Sequence, residues 1–438
     1  MAKKPKRQKA IKRLNLSDHT LDINIRKCNY NKFSFSEIEE YVSELVGSRD
    51  YQYKAIKQVM IYLWGGAYRS ITDLGKENFN NVKERPQIQQ RFGTEENFLR
   101  QLPLPGWPSG VVHMATGTGK SYLIFAIAYL SLVMGLTKRV LVLGPASTII
   151  EQGLRDKFKD LMSRKAFSDK LSAKYRGKAI NLLTDNDPIE DDSIVIENIN
   201  AVYTFGSITD TLFKNTDEVL VLGDEIHHAY SHLKYADNRL VLDKEEGPEG
   251  KKSEARDERL WMKFLRENAK ITRHIGFTGT PYNQNEYFAD IIFNYSIKDA
   301  TEEKYIKKIN SIIRTETDEG DDHLTIDQRF EMVLKNHQEN RDKYAYKTTL
   351  GKKRVKPITI FICPNIKNAQ RRYNEFVTFL AGYEKKHHGA QGTDSEIIDR
   401  LRKKVICVVS KVSKSECKQE LDNIEETDPK KSGGSVEF

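Results

Sequence analysis

Apolar side chains recur at helical spacing near the start of the chain. In the segment YQYKAIKQVMIYLW, residues 51–64, they return every three or four positions, which is the period of one buried helical face. The segment SEIEEYVSELV, residues 36–46, has a shorter pattern of the same kind. The pattern therefore predicts two successive helices behind a basic N-terminal tail.

From residue 110 onwards the pattern changes to short apolar runs separated by longer helical segments. Strands are predicted at 110–115, 139–145, 192–198, 218–225 and 273–281, and helices at 121–134 and 149–162. Strands that are buried on both faces have nearly continuous apolar sequences, and helices between them form the crossovers of a parallel sheet. The predicted fold class is therefore α/β, with a parallel sheet covered by helices.

Polar stretches divide the chain into regions. Residues 66–109 and 231–258 are expected to be insertions or surface flaps, and 315–356 a charged helix with a linker. Beyond them, strands are predicted at 356–365 and 404–410, with a helix from 368 to about 381 between them. The predicted organisation is a basic extension at 1–46, a first α/β domain at 47–312, a charged linker at 313–355 and the start of a second α/β domain at 356–438.

The composition is that of a globular protein with an excess of basic residues. Hydrophobic residues are 38% of the 438 positions and charged residues are 30%, which excludes the class of weakly hydrophobic disordered chains. The formal charge of +9 favours a polyanionic partner such as nucleic acid. Seven of the first thirteen residues are basic and no apolar stretch follows them. This start is therefore a solvated tail or a phosphate-contacting arm, and not a secretory signal.

Cysteine spacing and apolar run length bear on the location of the protein. The four cysteines, Cys28, Cys363, Cys407 and Cys417, form no C-x-x-C pair, so neither a zinc site nor a disulfide framework is indicated. The longest apolar run, 122–134, is too short to cross a bilayer. We expect a cytoplasmic protein that has no membrane partner.

A glycine-rich loop follows the strand 110–115 and precedes a helix. It reads MATGTGKS, residues 114–121, and its glycines allow backbone N–H groups to approach phosphate oxygens at the helix N-terminus. Lys120 is expected to neutralise the β- and γ-phosphates of ATP, and Ser121 to offer its hydroxyl to Mg²⁺. The predicted nucleotide-binding residues of this loop are Thr116, Gly117, Thr118, Gly119, Lys120 and Ser121.

Two carboxylates follow a buried strand in the segment VLVLGDEIHH. Asp224 and Glu225 stand at the carboxyl end of this strand, where ligands bind in parallel α/β sheets. Such a pair can divide the chemistry of hydrolysis, with Asp224 holding Mg²⁺ and Glu225 orienting and deprotonating the attacking water. A solvated acidic turn is the alternative reading. The phosphate loop about 100 residues upstream favours the catalytic one.

A third strand ends in small hydroxyl residues, in the segment GFTGTPYN. Thr278 and Thr280 flank Gly279 there, and Pro281 forces a turn. An ordinary strand-end turn is one interpretation. Hydrogen bonds to the acidic pair and a response to the γ-phosphate are the other.

The three segments together resemble motifs I, II and III of superfamily 2 helicases. MATGTGKS, DEIH and TGTP occur in the order of that superfamily, which tolerates a residue other than glycine at the first loop position. RDYQYKAI at 49–56 and NYSIKDATEEKYIKK at 294–308 resemble flanking segments of restriction-enzyme motor subunits. The chain is most similar to the ATPase (Res) subunit of type III restriction enzymes, over roughly residues 47–380. This resemblance implies a RecA-like P-loop fold with an incomplete second RecA-like lobe.

The resemblance also implies roles for single residues. Gln52 would contact adenine, with Tyr51 packed behind it, although a glutamine on the helix surface is an alternative. His227, Thr278 and Thr280 would couple hydrolysis to the nucleic-acid track. GPAST at 144–148 resembles motif Ia, so Pro145, Ala146 and Ser147 would meet DNA phosphates.

The expected activity is DNA-dependent ATP hydrolysis by a helicase-like translocase of a restriction-modification or related defence system. ATP and Mg²⁺ are the implied cofactors, and duplex DNA and a separate methyltransferase or specificity subunit are the implied partners. The late motifs of the second lobe, with their arginine, are missing from this sequence. We therefore expect an N-terminal fragment with impaired turnover. A non-catalytic nucleotide- and DNA-binding fragment and an RNA-dependent helicase fragment remain as alternatives.

Overall fold

The computed structural model describes residues 20–145, 148–183, 187, 190–203, 212–213, 218–231, 233–236, 239–242, 252–283, 286–306, 325–344, 358–363 and 365–407. Contacts divide the chain into two compact units, Met1–Ile309 and Asn310–Phe438. All strands in the described ranges belong to the first unit. Within the same ranges, no helix combines the length and apolar character needed to cross a membrane.

A seven-stranded parallel sheet is the centre of the first unit. Its spatial order is β11-β1-β8-β5-β2-β4-β3, and every neighbouring pair is parallel. Two antiparallel pairs, β6 with β7 and β9 with β10, lie outside it. The strands are β1 Ser109–Met114, β2 Arg139–Gly144, β3 Asn181–Leu183, β4 Ser193–Asn198, β5 Val219–Asp224, β6 Leu233–Ala236, β7 Arg239–Leu242, β8 Ile271–Thr278, β9 Tyr282–Asn283, β10 Glu286–Tyr287 and β11 Ile291–Tyr295.

Apolar side chains of the sheet point to two separate cores. Val140 and Val142 of β2 belong to one hydrophobic cluster, and Leu141 and Leu143 to another. Successive side chains of a strand point to opposite faces of the sheet, so both faces are covered. This burial explains the continuous apolar sequences of β1, β2 and β5, and the predicted α/β parallel sheet is confirmed.

Helices pack around this sheet at the places that the apolar periodicity predicts. Helix α6 is buried at every position from Leu123 to Val133, and α2 buries Ala55, Ile56, Val59 and Met60. The helices are α1 Glu39–Val46, α2 Asp50–Trp64, α3 Ile71–Val82, α4 Pro86–Arg91, α5 Glu95–Leu99, α6 Lys120–Val133, α7 Thr148–Ser163, α8 Lys165–Ser168, α9 His227–Tyr230, α10 Lys252–Glu267, α11 Ile297–Glu302, α12 Ile326–Tyr344, α13 Ile366–His388 and α14 Asp394–Leu401.

The segment 66–109, expected to be an insertion or flap, folds as the three helices α3, α4 and α5. Leu74, Phe79, Phe92 and Phe98 are all buried there, and the Phe79 and Phe98 rings stack with centroids 5.6 Å apart. Aromatic residues spaced far apart in a polar sequence thus join the same hydrophobic cluster as α2 and α6, which the local pattern did not reveal. In the other such segment, 231–258, the described residues form β6, β7 and the start of α10.

The second unit is helical in the described residues. Helices α12, α13 and α14 enclose a core that includes Phe330, Phe376, Leu380 and Leu401. The strands predicted at 356–365 and 404–410 are wrong for the described parts, 358–363 and 404–407, which have no strand pairing. A strand needs a hydrogen-bonded neighbour, and the described part of this unit supplies none.

Candidate functional site

The glycine-rich loop lies between β1 and α6 at the carboxyl edge of the sheet. Gly117 and Gly119 have φ angles of 84° and 87°, in the left-handed region that favours glycine. A Cβ atom on Gly119 would lie 2.6 Å from Nε2 of Gln52. Helix α6 begins at Lys120, so the first N–H groups of a 14-residue helix face this loop. The local geometry is therefore that of an anion-binding loop.

The acidic pair stands at the end of β5, and β8 separates this strand from β1 in the sheet. Nζ of Lys120 lies 3.0 Å from Oε1 of Glu225. Glu225 has a φ of 49°, a conformation that costs roughly 1–3 kcal/mol for a residue other than glycine. The structure thus brings together the lysine and the glutamate, which are about 100 residues apart in the chain.

A histidine links this pair to the third segment. Nδ1 of His227 lies 2.9 Å from Oγ1 of Thr278 and 3.4 Å from Oε2 of Glu225. Oγ1 of Thr278 also accepts a hydrogen bond from the backbone N–H of Thr280 at 2.9 Å. A continuous set of contacts therefore runs from Lys120 through Glu225 and His227 to the end of β8.

The loop after β8 packs directly against the phosphate loop. A Cβ atom on Gly279 would lie only 2.7 Å from Oγ1 of Thr116. A larger residue at this position would displace the side chain of Thr116, because the two loops approach closely. Movement of one loop would therefore displace the other.

Gln52 and Tyr51 hold the phosphate loop from the side of α2. Nε2 of Gln52 and the hydroxyl of Tyr51 both donate to the backbone carbonyl of Thr118, at 2.7 and 3.0 Å. Only 1% of Gln52 is exposed, so it is not a glutamine of the helix surface. The Tyr51 ring stacks on Tyr295 with centroids 4.0 Å apart. The contact of Gln52 with adenine stays a prediction.

A family model described as "Type III restriction enzyme, res subunit" matches residues 46–283 of the chain. This match spans more than half of the 438 residues and contains all three sequence segments discussed above. The chain belongs to this family. Its matched region is a superfamily 2 helicase ATPase domain with a RecA-like fold, as the sequence resemblance predicts. A comparison with curated proteins finds no match.

Charges in this Res-family site are strongly coupled. Burial and, to a smaller extent, the charge of neighbouring Glu225 raise the pKa of Asp224 to about 6. Burial opposes ionisation of Glu225 too, but its hydrogen bond to His227 and the charge of Lys120 outweigh this and lower its pKa to about 2. Glu225 is therefore ionised throughout the neutral range, whereas Asp224 takes up a proton as the pH falls through about 6.

The residues fit the cofactors that helicase-like ATPase domains generally use, ATP and Mg²⁺. Oε1 of Gln52 is buried and has no hydrogen-bond partner among the described residues, so a donor on a bound nucleotide can satisfy it. Asp224, 9% exposed at a strand end, is a carboxylate that a cation would stabilise in its ionised form. Ser121 follows Lys120 on the first turn of α6.

One predicted group is only partly located. Pro145 follows β2 at the carboxyl edge of the sheet and is half-buried, whereas Ala146 and Ser147 lie outside the described residues. The contact of all three residues with DNA phosphates stays a prediction.

His113 is a site residue that the motifs did not identify. It lies on β1, is 5% exposed, and its Nδ1 is 2.6 Å from Oδ1 of Asn294 on β11. Burial lowers the pKa of His113, and hydrogen bonds to Asn294 and to the backbone of Gly279 partly offset this. A polar residue within the otherwise apolar strand GVVHMA was the available signal. Its ring joins the phosphate-loop strand, its neighbour β11 and the loop after β8.

Proposed function

We propose that this chain is the ATP-hydrolysing part of a motor that translocates on duplex DNA within a restriction-modification or related defence system. The observation that supports it best is the set of contacts from Lys120 to Glu225, His227 and Thr278. A phosphate-binding lysine, an ionised carboxylate and a hydroxyl at a neighbouring strand end are the components of coupled nucleotide hydrolysis. The family membership supports the helicase-like ATPase activity itself.

Each residue has a distinct role in this proposal. Lys120 binds the β- and γ-phosphates, and the backbone N–H groups of Gly117 and Gly119 cradle them. Ser121 and Asp224 would hold Mg²⁺, which when bound neutralises charge on the phosphate oxygens. Glu225 orients the attacking water and accepts its proton.

Glu225 is prepared for this role by its partners. Its pKa of about 2 keeps the carboxylate ionised. A bound phosphate would compete for Lys120. The positive charge of Lys120 would then stabilise the ionised form of Glu225 less strongly, and the carboxylate would become more basic. Its proton affinity would then rise at the stage where the water attacks the γ-phosphate and gives up a proton.

Coupling to DNA follows from the other end of the contact chain. Thr278 and Thr280 sense the state of Glu225 through His227, while Pro145, Ala146 and Ser147 contact backbone phosphates. Gln52 recognises adenine with its free Oε1. A methylating or specificity subunit would select the DNA sequence, and the cytoplasm is the compartment in which such a system acts.

The test is ATP hydrolysis by the full chain with duplex DNA, single-stranded DNA or RNA. We expect ATP binding and DNA-stimulated turnover in the unsubstituted chain, and loss of turnover in Lys120→Ala and Glu225→Gln. Lys298 and Glu302 form an exposed pair on α11, 3.9 Å apart, so Lys298→Ala and Glu302→Gln are matched controls that should retain activity. Retained turnover in both site variants would overturn the ATPase assignment.

The nucleic-acid part has its own outcome. Stimulation by RNA but not by duplex DNA would replace the DNA motor with an RNA-dependent helicase. ATP and DNA binding without turnover in any condition would favour the non-catalytic binding fragment. Phosphate-driven binding should weaken steeply between about 50 and 200 mM salt.

A further inference from the structure

A second cleft lies at the amino-terminal edge of the sheet, opposite the phosphate loop. It is bounded by the loop after α2 and by the starts of β1, β5 and β8, and its volume is about 500 Å³. This volume is within the range of small-molecule sites. Its walls include Lys32, Trp64, Tyr68, Trp107, Thr272 and Arg273, with Glu218 at the start of β5.

Two contacts hold Arg273 in the cleft, and neither of them uses the terminal amino groups of its guanidinium. Its Nε donates to the backbone carbonyl of Leu63 at 3.0 Å, and its guanidinium lies 4.1 Å from the ring centroid of Trp64. Burial lowers the pKa of Arg273, and the charge of Glu218 offsets only part of this. A desolvated, pre-oriented guanidinium fork is suited to a phosphate or carboxylate.

Further donors face the same space. The side chain of Lys32 lies across Gly66, where a Cβ atom would be 3.0 Å from its Cδ. Thr272, which carries a hydroxyl, also lines the cleft. Donors therefore outnumber the single carboxylate of Glu218, and the site favours a ligand that carries acceptor oxygens and negative charge.

Aromatic walls restrict the ligand further. Trp64 is 7% exposed and forms the support for Arg273, whereas Trp107 is half-buried and presents more of its ring. A planar heteroaromatic group gains stacking energy against such a wall. We propose that this cleft binds a nucleotide, with its base against Trp107 and its phosphate on Arg273 and Lys32. The nucleotide is either free or the end of a single strand.

Intrinsic tryptophan fluorescence tests this proposal. Two of the three tryptophans line the cleft and the third, Trp261, is fully buried elsewhere in the core. The full chain carrying Lys120→Ala, which disables the phosphate loop, is titrated with AMP, with a short 5′-phosphorylated single strand and with inorganic phosphate. We expect a saturable change with AMP, with the strand, or with both, and a much weaker response to phosphate.

Substitutions locate the binding. Lys32→Glu should weaken it at least about tenfold because it reverses a charge at the phosphate. Lys165→Glu makes the same charge change at an exposed position outside the cleft and should leave it unchanged. Trp107→Ala removes the aromatic ring against which the base would stack, and should weaken binding several-fold. Circular dichroism establishes that each variant is folded.

The titrations distinguish a free nucleotide from a strand end, and they show which results would overturn the proposal. Binding of AMP assigns a free nucleotide, and binding of the strand alone assigns a strand end. Absence of a saturable change with either ligand overturns the proposal, as do equal affinities of Lys32→Glu and Lys165→Glu. Phosphate that binds as tightly as AMP overturns the stacking of a base. Because the phosphate loop is already disabled, none of these results depends on ATP hydrolysis.

Discussion

Two acidic sites of the first unit differ in what surrounds the carboxyl group. At the end of β5, Glu225 faces Lys120 at 3.0 Å and His227 at 3.4 Å, and its pKa falls to about 2. Just before β11, Asp290 is fully buried and its Oδ2 accepts from the hydroxyl of Tyr230 at 2.8 Å. Burial raises the pKa of Asp290 to about 7. The first site keeps a charge and the second suppresses one.

This difference separates chemistry from architecture. Burial acts in the same direction on both carboxyl groups, so burial alone does not identify a catalytic acid. Partners decide the result, because a lysine and a histidine stabilise the ionised form whereas one phenol does not offset burial. Glu225 is therefore suited to meet a reacting water, and Asp290 to hold Tyr230 within the core.

The largest expected effect comes from exchanging each acid for its amide. Glu225→Gln should lower ATP turnover about 10²–10⁴-fold, since the amide cannot accept a proton. Asp290→Asn should leave turnover near that of the unsubstituted chain, because the side chain of Asp290 contacts Tyr230 and not the phosphate loop. Steady-state ATPase rates at neutral pH measure both.

Because both variants replace a carboxylate by an amide, they can be compared directly, provided that both are folded. Thermal unfolding of both variants tests whether activity is lost through instability. Equal loss of turnover in the two variants would remove the distinction between the sites. Full activity in Glu225→Gln would mean that another group activates the water.

A smaller effect is expected at the end of β8. Thr278→Val keeps the side-chain volume but removes the hydroxyl that lies 2.9 Å from Nδ1 of His227. Coupling between two sites typically changes an equilibrium by a factor of about 5–150. We therefore expect a loss of that order in the stimulation of turnover by nucleic acid, with a smaller change in the basal rate.

Thr278→Ser is the control, because it retains the hydroxyl. Stimulation should be largely preserved in it. Equal behaviour of the valine and serine variants would assign the effect to packing and not to the hydrogen bond.

Sequence reasoning located the elements whose burial is continuous. The runs that form β1, β2, β5 and β8 are apolar because both faces of the sheet are covered, so their pattern was visible. Glycine and charged residues at the ends of β1 and β5 then placed Lys120 and Glu225 at one sheet edge. The strand order that brings them together, with β8 between them, depends on pairing between distant segments and is not contained in any local pattern.

The failures have the same physical origin. Segment 358–363 has the apolar sequence of a strand, yet Ile360 and Ile362 are 77% and 93% exposed. No neighbouring strand is present for it in the described part of the second unit. His113 was missed because its role comes from Asn294, a partner 181 residues away. Tertiary partners, and not propensity, decide these cases.

Gln52 offers the next test, with an expected effect of about tenfold on ATP affinity. Gln52→Ala removes the bond to the carbonyl of Thr118 and the free acceptor Oε1. Gln58 on the same helix also donates to a backbone carbonyl, that of Ile292 at 2.9 Å. Gln58→Ala is thus a matched control that should leave ATP affinity unchanged. Equilibrium titration with a fluorescent ATP analogue measures both, and equal affinities would place adenine elsewhere.

The smallest expected effect is the pH dependence of stability at Asp290. Its pKa is about 7 in the folded chain and near the ordinary 3.8 when unfolded. Between about pH 4 and 7 the unfolded chain therefore releases the proton more readily, and the free energy of unfolding falls as pH rises. Asp290→Asn cannot ionise, so it removes this loss.

Any fixed cost of burying the amide of Asp290→Asn is the same at every pH, so the informative quantity is the change with pH. The melting temperature of this variant relative to the parent should rise by a few degrees between pH 5 and pH 8. Tyr230→Phe, which removes the hydroxyl that donates to Asp290, should increase the pH-dependent loss instead, because the ionised carboxylate would have no donor from Tyr230. Parallel melting curves for the parent and Asp290→Asn across this range would mean that Asp290 keeps its charge, and the contrast with Glu225 would then rest on geometry alone.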